Sequence, residues 1–312
     1  MPIVESYQGG GLRGIVAVTI RRMLPPRLAD LYAGTSTGAI LAAALACGLD
    51  LTKIRELYLS KASTIFKSRP SPWTHPAGWA RSFIGRGLLG PIYDNTPLAQ
   101  ELRDLFGERF MPDANRPLMI VAYDCTAREP LVIRSWKTEH GSIPVWKAVL
   151  ASAAAPVFFP PVGLSVDGSL RWCVDGGLVA NDPAGFALTE GRTRFSAGNL
   201  CILNFGTGRS AVPFQPGNWG AVQWISHLVP CLMDSSESVD YALRSWASVA
   251  KLAGCGYLRF QPSIPESLAS MDEPGNVSAL EAAASVWADQ DGRFALKAAE
   301  EWLKQEAEHD AR

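Results

Sequence analysis

The chain has 312 residues, 47% of them hydrophobic, and a formal net charge of −1. That is enough apolar material for one large α/β domain, and near-neutral charge gives no whole-molecule attraction to a nucleic-acid polymer. The six cysteines include no Cys-x-x-Cys pair, which argues against zinc and redox motifs and for reduced thiols in a cytoplasm.

In chain order, Ile3-Val4 reads as a first or edge strand that feeds a glycine loop. Residues 1–5 show no basic region followed by an apolar one, so no signal peptide is expected; the small-residue run from Ala39 to Leu49 is too short to cross a bilayer, so membrane contact is expected to be peripheral. Ile15 to Leu24 predicts a helix stopped by Pro25-Pro26. Leu28 to Ala33 predicts a second strand, and Ala39 to Cys47 a buried helix ended by Gly48. Strand, glycine turn and helix, twice in succession, imply a mostly parallel sheet with helices on both faces, a three-layer α/β/α sandwich.

Leu51, Ile54, Leu57, Tyr58, Ile65 and Phe66 keep helical spacing. Residues 66–92 are irregular and rich in proline and glycine. They mix Phe66, Trp73, Trp79 and Phe83 with Lys67, Arg69, Arg81 and Arg86, which suits either a bilayer interface or ordinary cap packing. Trp219, Trp224 and Leu228 form a second apolar stretch open to the same two readings. Leu98 to Phe106 predicts an amphipathic helix. Leu118 to Tyr123 and Leu131 to Arg134 predict a hairpin, Val145 to Ala155 a small-residue helix, and Leu200 to Phe205 a buried strand. Trp287 to Leu303 predicts a tail helix with Phe294, Ala298 and Trp302 on one face. One domain over 1–312 is expected, with a motif-bearing core over 1–210 and a helical part over 211–312.

Three glycine turns carry the chemistry. Gly34-Thr35-Ser36-Thr37-Gly38 holds a serine on a tight strand-to-helix turn, clear of its own backbone and at a helix N-terminus that favours developing negative charge. Gly9-Gly10-Gly11-Leu12-Arg13-Gly14 can aim backbone N–H groups at one oxygen. The same loop fits a dinucleotide fingerprint with Asp30 as the acidic residue, but the serine turn occupies the place of the ribose pocket. Asp175-Gly176-Gly177 offers a carboxylate as a base for Ser36, or is a plain hairpin turn. Of four histidines, none adjoins these turns. The order Ser36, Asp175, His227 would fit a hydrolase triad, although Ser36 comes early in the chain for that fold.

Taken together, these turns resemble the patatin-like phospholipase family. Supporting segments lie in order: 148–161 (AVLASAAAPVFFPP), 174–183 (VDGGLVANDP) and 203–208 (LNFGTG). The likeness spans most of residues 1–210. It implies lipid acyl hydrolysis by a Ser–Asp dyad, with no metal or cofactor and a phospholipid or other acyl-lipid substrate at a membrane surface. Carried over by position, Ser36 is the nucleophile and Asp175 the proton acceptor. Gly9, Gly10 and Gly11 become the oxyanion donors, with Gly14, Gly34, Gly38, Gly176 and Gly177 as motif support. Arg13 matches the family's arginine, a brace for the loop or a contact for a phosphate. Gln8 stands where relatives have aspartate, and Asp182 where asparagine is usual. Some bacterial relatives are switched on by a cyclic nucleotide, so the resemblance leaves room for a small-molecule activator. A catalytically idle lipid-binding or storage protein is the rival reading.

Overall fold

The structure, a computed structural model, describes residues 1–26, 28–67, 90–195, 200–210 and 255–310, together with Gly217 and Cys231. Most of the 66–92 segment, the apolar stretch around Trp219 and Trp224, and His227 lie outside the described residues.

Strand β1 (Ile3–Tyr7) leads through the glycine loop into helix α1 (Gly14–Arg22). Strand β2 (Leu31–Thr35) turns at Ser36 into α2 (Thr37–Ala46), and α3 (Leu51–Ile65) follows. After α4 (Thr96–Phe106) come β3 (Leu118–Asp124) and β4 (Glu129–Arg134), joined as the expected antiparallel hairpin. Helix α5 (Val145–Ser152) precedes a second hairpin, β5 (Val162–Val166) and β6 (Ser169–Asp175). Then follow α6 (Gly177–Ala180), α7 (Ala184–Phe195), β7 (Cys201–Phe205) and β8 (Arg209–Ser210). The last elements are β9 (Gly256–Phe260), β10 (Ser263–Ile264), α8 (Val277–Asp289) and α9 (Arg293–Asp310).

The main sheet runs β5-β6-β3-β2-β1-β7-β9, with β4 on the far edge of β3. Its centre, β3 through β9, is parallel, and the β4 and β6 pairings to β3 are antiparallel. Alternation along the strands sorts side chains to two faces. Ile3, Tyr7, Tyr32, Leu118 and Ile120 face the core shared with α1, α2 and α3. Val4, Leu31, Ala33, Met119 and Val121 face the smaller core that contains Ala187 of α7. The expected mostly parallel α/β/α sandwich is therefore present.

Several expectations are corrected. β1 is the first strand but not an edge: it lies between β2 and β7, because the chain recrosses late to add β7 and β9 beside it. β2 starts at Leu31, and Leu28 is exposed. The part read as helical contains strands at 256–264. The tail helix is two helices broken near Gln290, where the backbone leaves the helical region. Phe294 is 83% exposed, and the packed face of α9 is instead formed by Ala299 and Leu303 with Trp302 partly buried beside them. The β5–β6 hairpin, β9 and α7 were not foreseen.

Strand β3 acts as the ruler for the site. β2 pairs along one edge of β3 as far as Thr35 opposite Val121. β6 takes over that same edge from the other direction, with Asp175 opposite Ala122. Two strands thus meet head-on at consecutive positions of a third, which sets the residue after Thr35 against Asp175.

Candidate active site

Ser36 sits between β2 and α2 at φ 54° and ψ −125°, a backbone conformation that side chains other than glycine seldom adopt. Close packing enforces it. A Cβ on Gly38 would lie 2.1 Å from the Tyr7 carbonyl oxygen, and one on Gly34 would lie 2.4 Å from the Gly38 oxygen. Only glycine lets α2 approach β1 and β2 so closely, and the small residues of the fully buried α2 continue that approach. The Ser36 N–H donates to Ser152 Oγ at 2.8 Å, and the Ser152 hydroxyl donates in turn to the Val121 carbonyl at 2.5 Å. The strained turn is therefore pinned to β3 through a side chain of α5.

The Ser36 hydroxyl donates to Asp175 Oδ2 at 2.7 Å. The other carboxylate oxygen, Oδ1, accepts the Gly177 N–H at 2.7 Å at the start of α6. Backbone bonds from Asp175 N to Ala154 O and from Gly176 N to Ser152 O tie the turn to the end of α5. Gly176 has no room for a side chain, since its Cβ would stand 2.2 Å from Val121 O. Asp175 is 2% exposed. Burial pushes its carboxyl up from 3.8 to about 7, against the opposing pull of the bonds from Ser36 and Gly177.

The glycine loop packs over this pair. Gly9 donates its N–H to Asn181 O at 2.9 Å, and Leu12 donates to Met271 O at 2.8 Å. The N–H groups of Gly10 and Gly11 donate to no acceptor among the described residues. Of the three glycines expected to supply donors, Gly9 is thus already engaged. Gly11 adopts φ +57° and lines the same cleft as Ser36 and Asp175. Arg13 is buried at the head of α1, and Gly14 packs against Tyr58 and Thr37.

The cleft encloses about 730 Å³ of empty space, part of it open solvent at its mouth. Leu12, Ile40, Leu57, Phe66, Leu98 and Phe159 give it an apolar lining, and Asp272 adds a carboxylate that accepts from the Tyr93 hydroxyl at 2.8 Å. Among the described residues no histidine lines it. His140 is buried elsewhere, its Nδ1 accepting from Arg134 N–H, and burial holds its pKa below the usual value. Among the described residues there is also no group of His, Cys, Asp and Glu able to hold a metal ion, and no helix is long and apolar enough to cross a membrane.

Sequence reasoning missed Ser152, Asn181 and Met271. Ser152 had a signal, as the lone hydroxyl in an alanine-rich run, while Met271 had none. Gln8 and Asp182, which flank the glycine loop and the segment after Asp175, meet at one side chain, Arg259 of β9.

Comparison with known proteins gives the geometry its context. A family model described as patatin-like phospholipase matches residues 6–188. A cGAMP-activated phospholipase of Escherichia coli is 29% identical over 250 residues, covering 72% of this chain and 67% of the relative. Another from Vibrio cholerae is 28% identical over 324 aligned positions, covering 88% of this chain and 86% of the relative. The 85/88 kDa calcium-independent phospholipase A2 of Rattus norvegicus is 26% identical and aligns with 82% of this chain but 35% of its own length. Because the family match enters at the glycine loop and runs on past Asp175, the chain belongs to the patatin-like phospholipase family and is a lipid hydrolase.

Proposed function

We propose that the chain cleaves fatty-acyl esters of membrane phospholipids through a Ser36–Asp175 dyad and an acyl-enzyme. The observation that carries this reading is the 2.7 Å bond from the Ser36 hydroxyl to a buried carboxylate whose pKa is raised to about 7. An aspartate at its ordinary value is a poor base, whereas one near the working pH can both take and return a proton. Oδ1 is held by Gly177, so Oδ2 is the atom that exchanges it.

Ser36 Oγ attacks the acyl carbonyl carbon as its proton passes to Asp175 Oδ2. The resulting oxyanion rests on the N–H groups of Gly10 and Gly11, close to the N-terminus of α2. When the intermediate collapses, the bond to the lipid alcohol breaks and Asp175 protonates that leaving oxygen. Water then attacks the acyl-enzyme and gives its proton to Asp175, which returns one to Ser36 as the fatty acid departs. The apolar cleft suits an acyl chain beside the reacting carbonyl.

Purified wild type should release fatty acid from mixed phospholipid vesicles, and a fluorophosphonate should label Ser36. Ser36→Ala and Asp175→Asn should each remain folded and lose turnover. Retained turnover in either defeats the dyad, and an unlabelled, inert wild type would favour the idle lipid-binding reading.

A second element concerns control. Two relatives carry the name cGAMP-activated phospholipase. Activation by a cyclic dinucleotide is accordingly part of the proposal, and it is tested by running the same vesicle assay with and without cGAMP.

A further inference from the structure

The side chain of Arg259 is 8% exposed and its partner Asp182 1%. It belongs to β9, beyond residues 6–188 where the family model matches. One guanidinium nitrogen, Nη1, donates to Asp182 Oδ2, and the other, Nη2, donates to Gln8 Oε1 at 2.7 Å. Asp182 Oδ2 also accepts from Asn204 Nδ2 at 2.7 Å, and its Oδ1 accepts the Ala184 N–H at 3.0 Å.

The positions of these partners matter more than their number. Gln8 is the residue before Gly9, and Asp182 is the residue after Asn181. Gly9 N–H to Asn181 O, at 2.9 Å, is the bond that fastens the glycine loop to the segment descending from Asp175. Arg259 therefore clamps the covalent neighbours of both ends of that bond. Thr207 adds a second fastening on the same loop, donating to Gly9 O at 3.0 Å. Two oxygen partners on separate segments suit a rigid planar fork, which holds both at a fixed spacing; an ammonium group is a point charge on a flexible stem.

We infer that Arg259 is a positioning residue for acyl transfer: by bridging Gln8 and Asp182 it fixes the Gly10 and Gly11 N–H groups relative to Ser36 and Asp175. This rests on the acyl-transfer reading above. Arg259 acts through Gln8 and Asp182 on the flanks of the loop, so its removal alters where the oxyanion donors stand while leaving the base unchanged. Misplacing such donors slows the chemical step by about 10- to 100-fold.

The test uses the full chain, a soluble short-acyl ester, and active-site concentration titrated with fluorophosphonate. Arg259→Lys and Asp182→Asn should each lower kcat about 10- to 100-fold. KM and the pH at which activity rises should stay where they are in the wild type. The exchange variant, Gln8→Asp with Asp182→Asn, restores one carboxylate facing the guanidinium and should recover kcat to within about threefold. A merely structural role would show as reduced titratable sites and a lower Tm with normal kcat per titrated site. That outcome overturns the inference, as does a kcat within twofold of wild type in both single variants, or an exchange variant no better than Asp182→Asn. Ser36→Ala separates the two levels of argument. If it stays active, the dyad reading fails; if it is inactive while Arg259→Lys is fully active, only the positioning role fails.

Discussion

Replacing Asp175 with asparagine should abolish turnover and at the same time stabilise the protein, by an amount that grows with pH. In the folded chain burial raises the carboxyl from 3.8 to about 7. Between those values the folded state keeps a proton that the unfolded chain releases, so stability falls as pH rises from about 4 to 7 and is level above. At 1.36 kcal/mol per unit, the full shift amounts to about 4 kcal/mol at pH 8 and between about 1 and 2 kcal/mol at pH 5. Asparagine has nearly the same shape and carries no charge. Its oxygen can accept from Gly177, and its amide can donate to the Ser36 oxygen. For a chain of this length about 1.5 °C accompanies each kcal/mol, so Tm should rise by about 6 °C at pH 8 and about 2 °C at pH 5. The assay is thermal unfolding of wild type and variant across that range, with ester turnover measured in parallel. Turnover should fall by about 10³-fold or more. A Tm change of equal size at both pH values, or a loss of stability at pH 8, would refute the reasoning that a costly buried charge sits at this position.

Other outcomes follow from the same geometry. Because Asp175 must be ionised to accept the serine proton, kcat/KM of the wild type should climb through pH about 7, measured on a soluble ester. Ser152→Ala removes the acceptor of the Ser36 N–H and should destabilise the fold by about 1–3 kcal/mol in denaturant titrations, with reduced turnover. Gly38→Ala forces a methyl to 2.1 Å from the Tyr7 oxygen and should lower soluble yield or cost about 3 kcal/mol. Leu98→Trp narrows the apolar cleft, so KM should rise for long-chain esters and stay unchanged for acetyl esters.

The glycine turns were legible because each is a local event: a strand, a residue with unusual backbone torsion or no room for a side chain, and a helix close behind. Ser36, Gly34, Gly38 and Asp175-Gly176 could all be found that way. The head-on meeting of β2 and β6 could not, since it depends on which edge of β3 each strand chooses, 139 residues apart at the dyad. The β5–β6 hairpin was hidden by composition, with exposed Leu170 and Trp172 blurring the alternation that marks a half-buried strand. Gln8 and Asp182 lie 174 positions apart, and nothing in the sequence links them. Only the fold shows that one guanidinium answers both.

The late strands bear on how this protein can be cut. β7 lies directly against β1, and Phe205 stacks between Tyr7 and Phe260 at centroid distances of 4.9 and 4.8 Å. A fragment ending at residue 188, where the family match stops, would strip β1 of that neighbour and bare a row of unsatisfied main-chain groups along an apolar strand. Such a piece would carry the nucleophile, its base and every glycine of the loop, yet would present a sticky sheet margin in place of an aromatic column. Self-association in the test tube is the fate to expect of it.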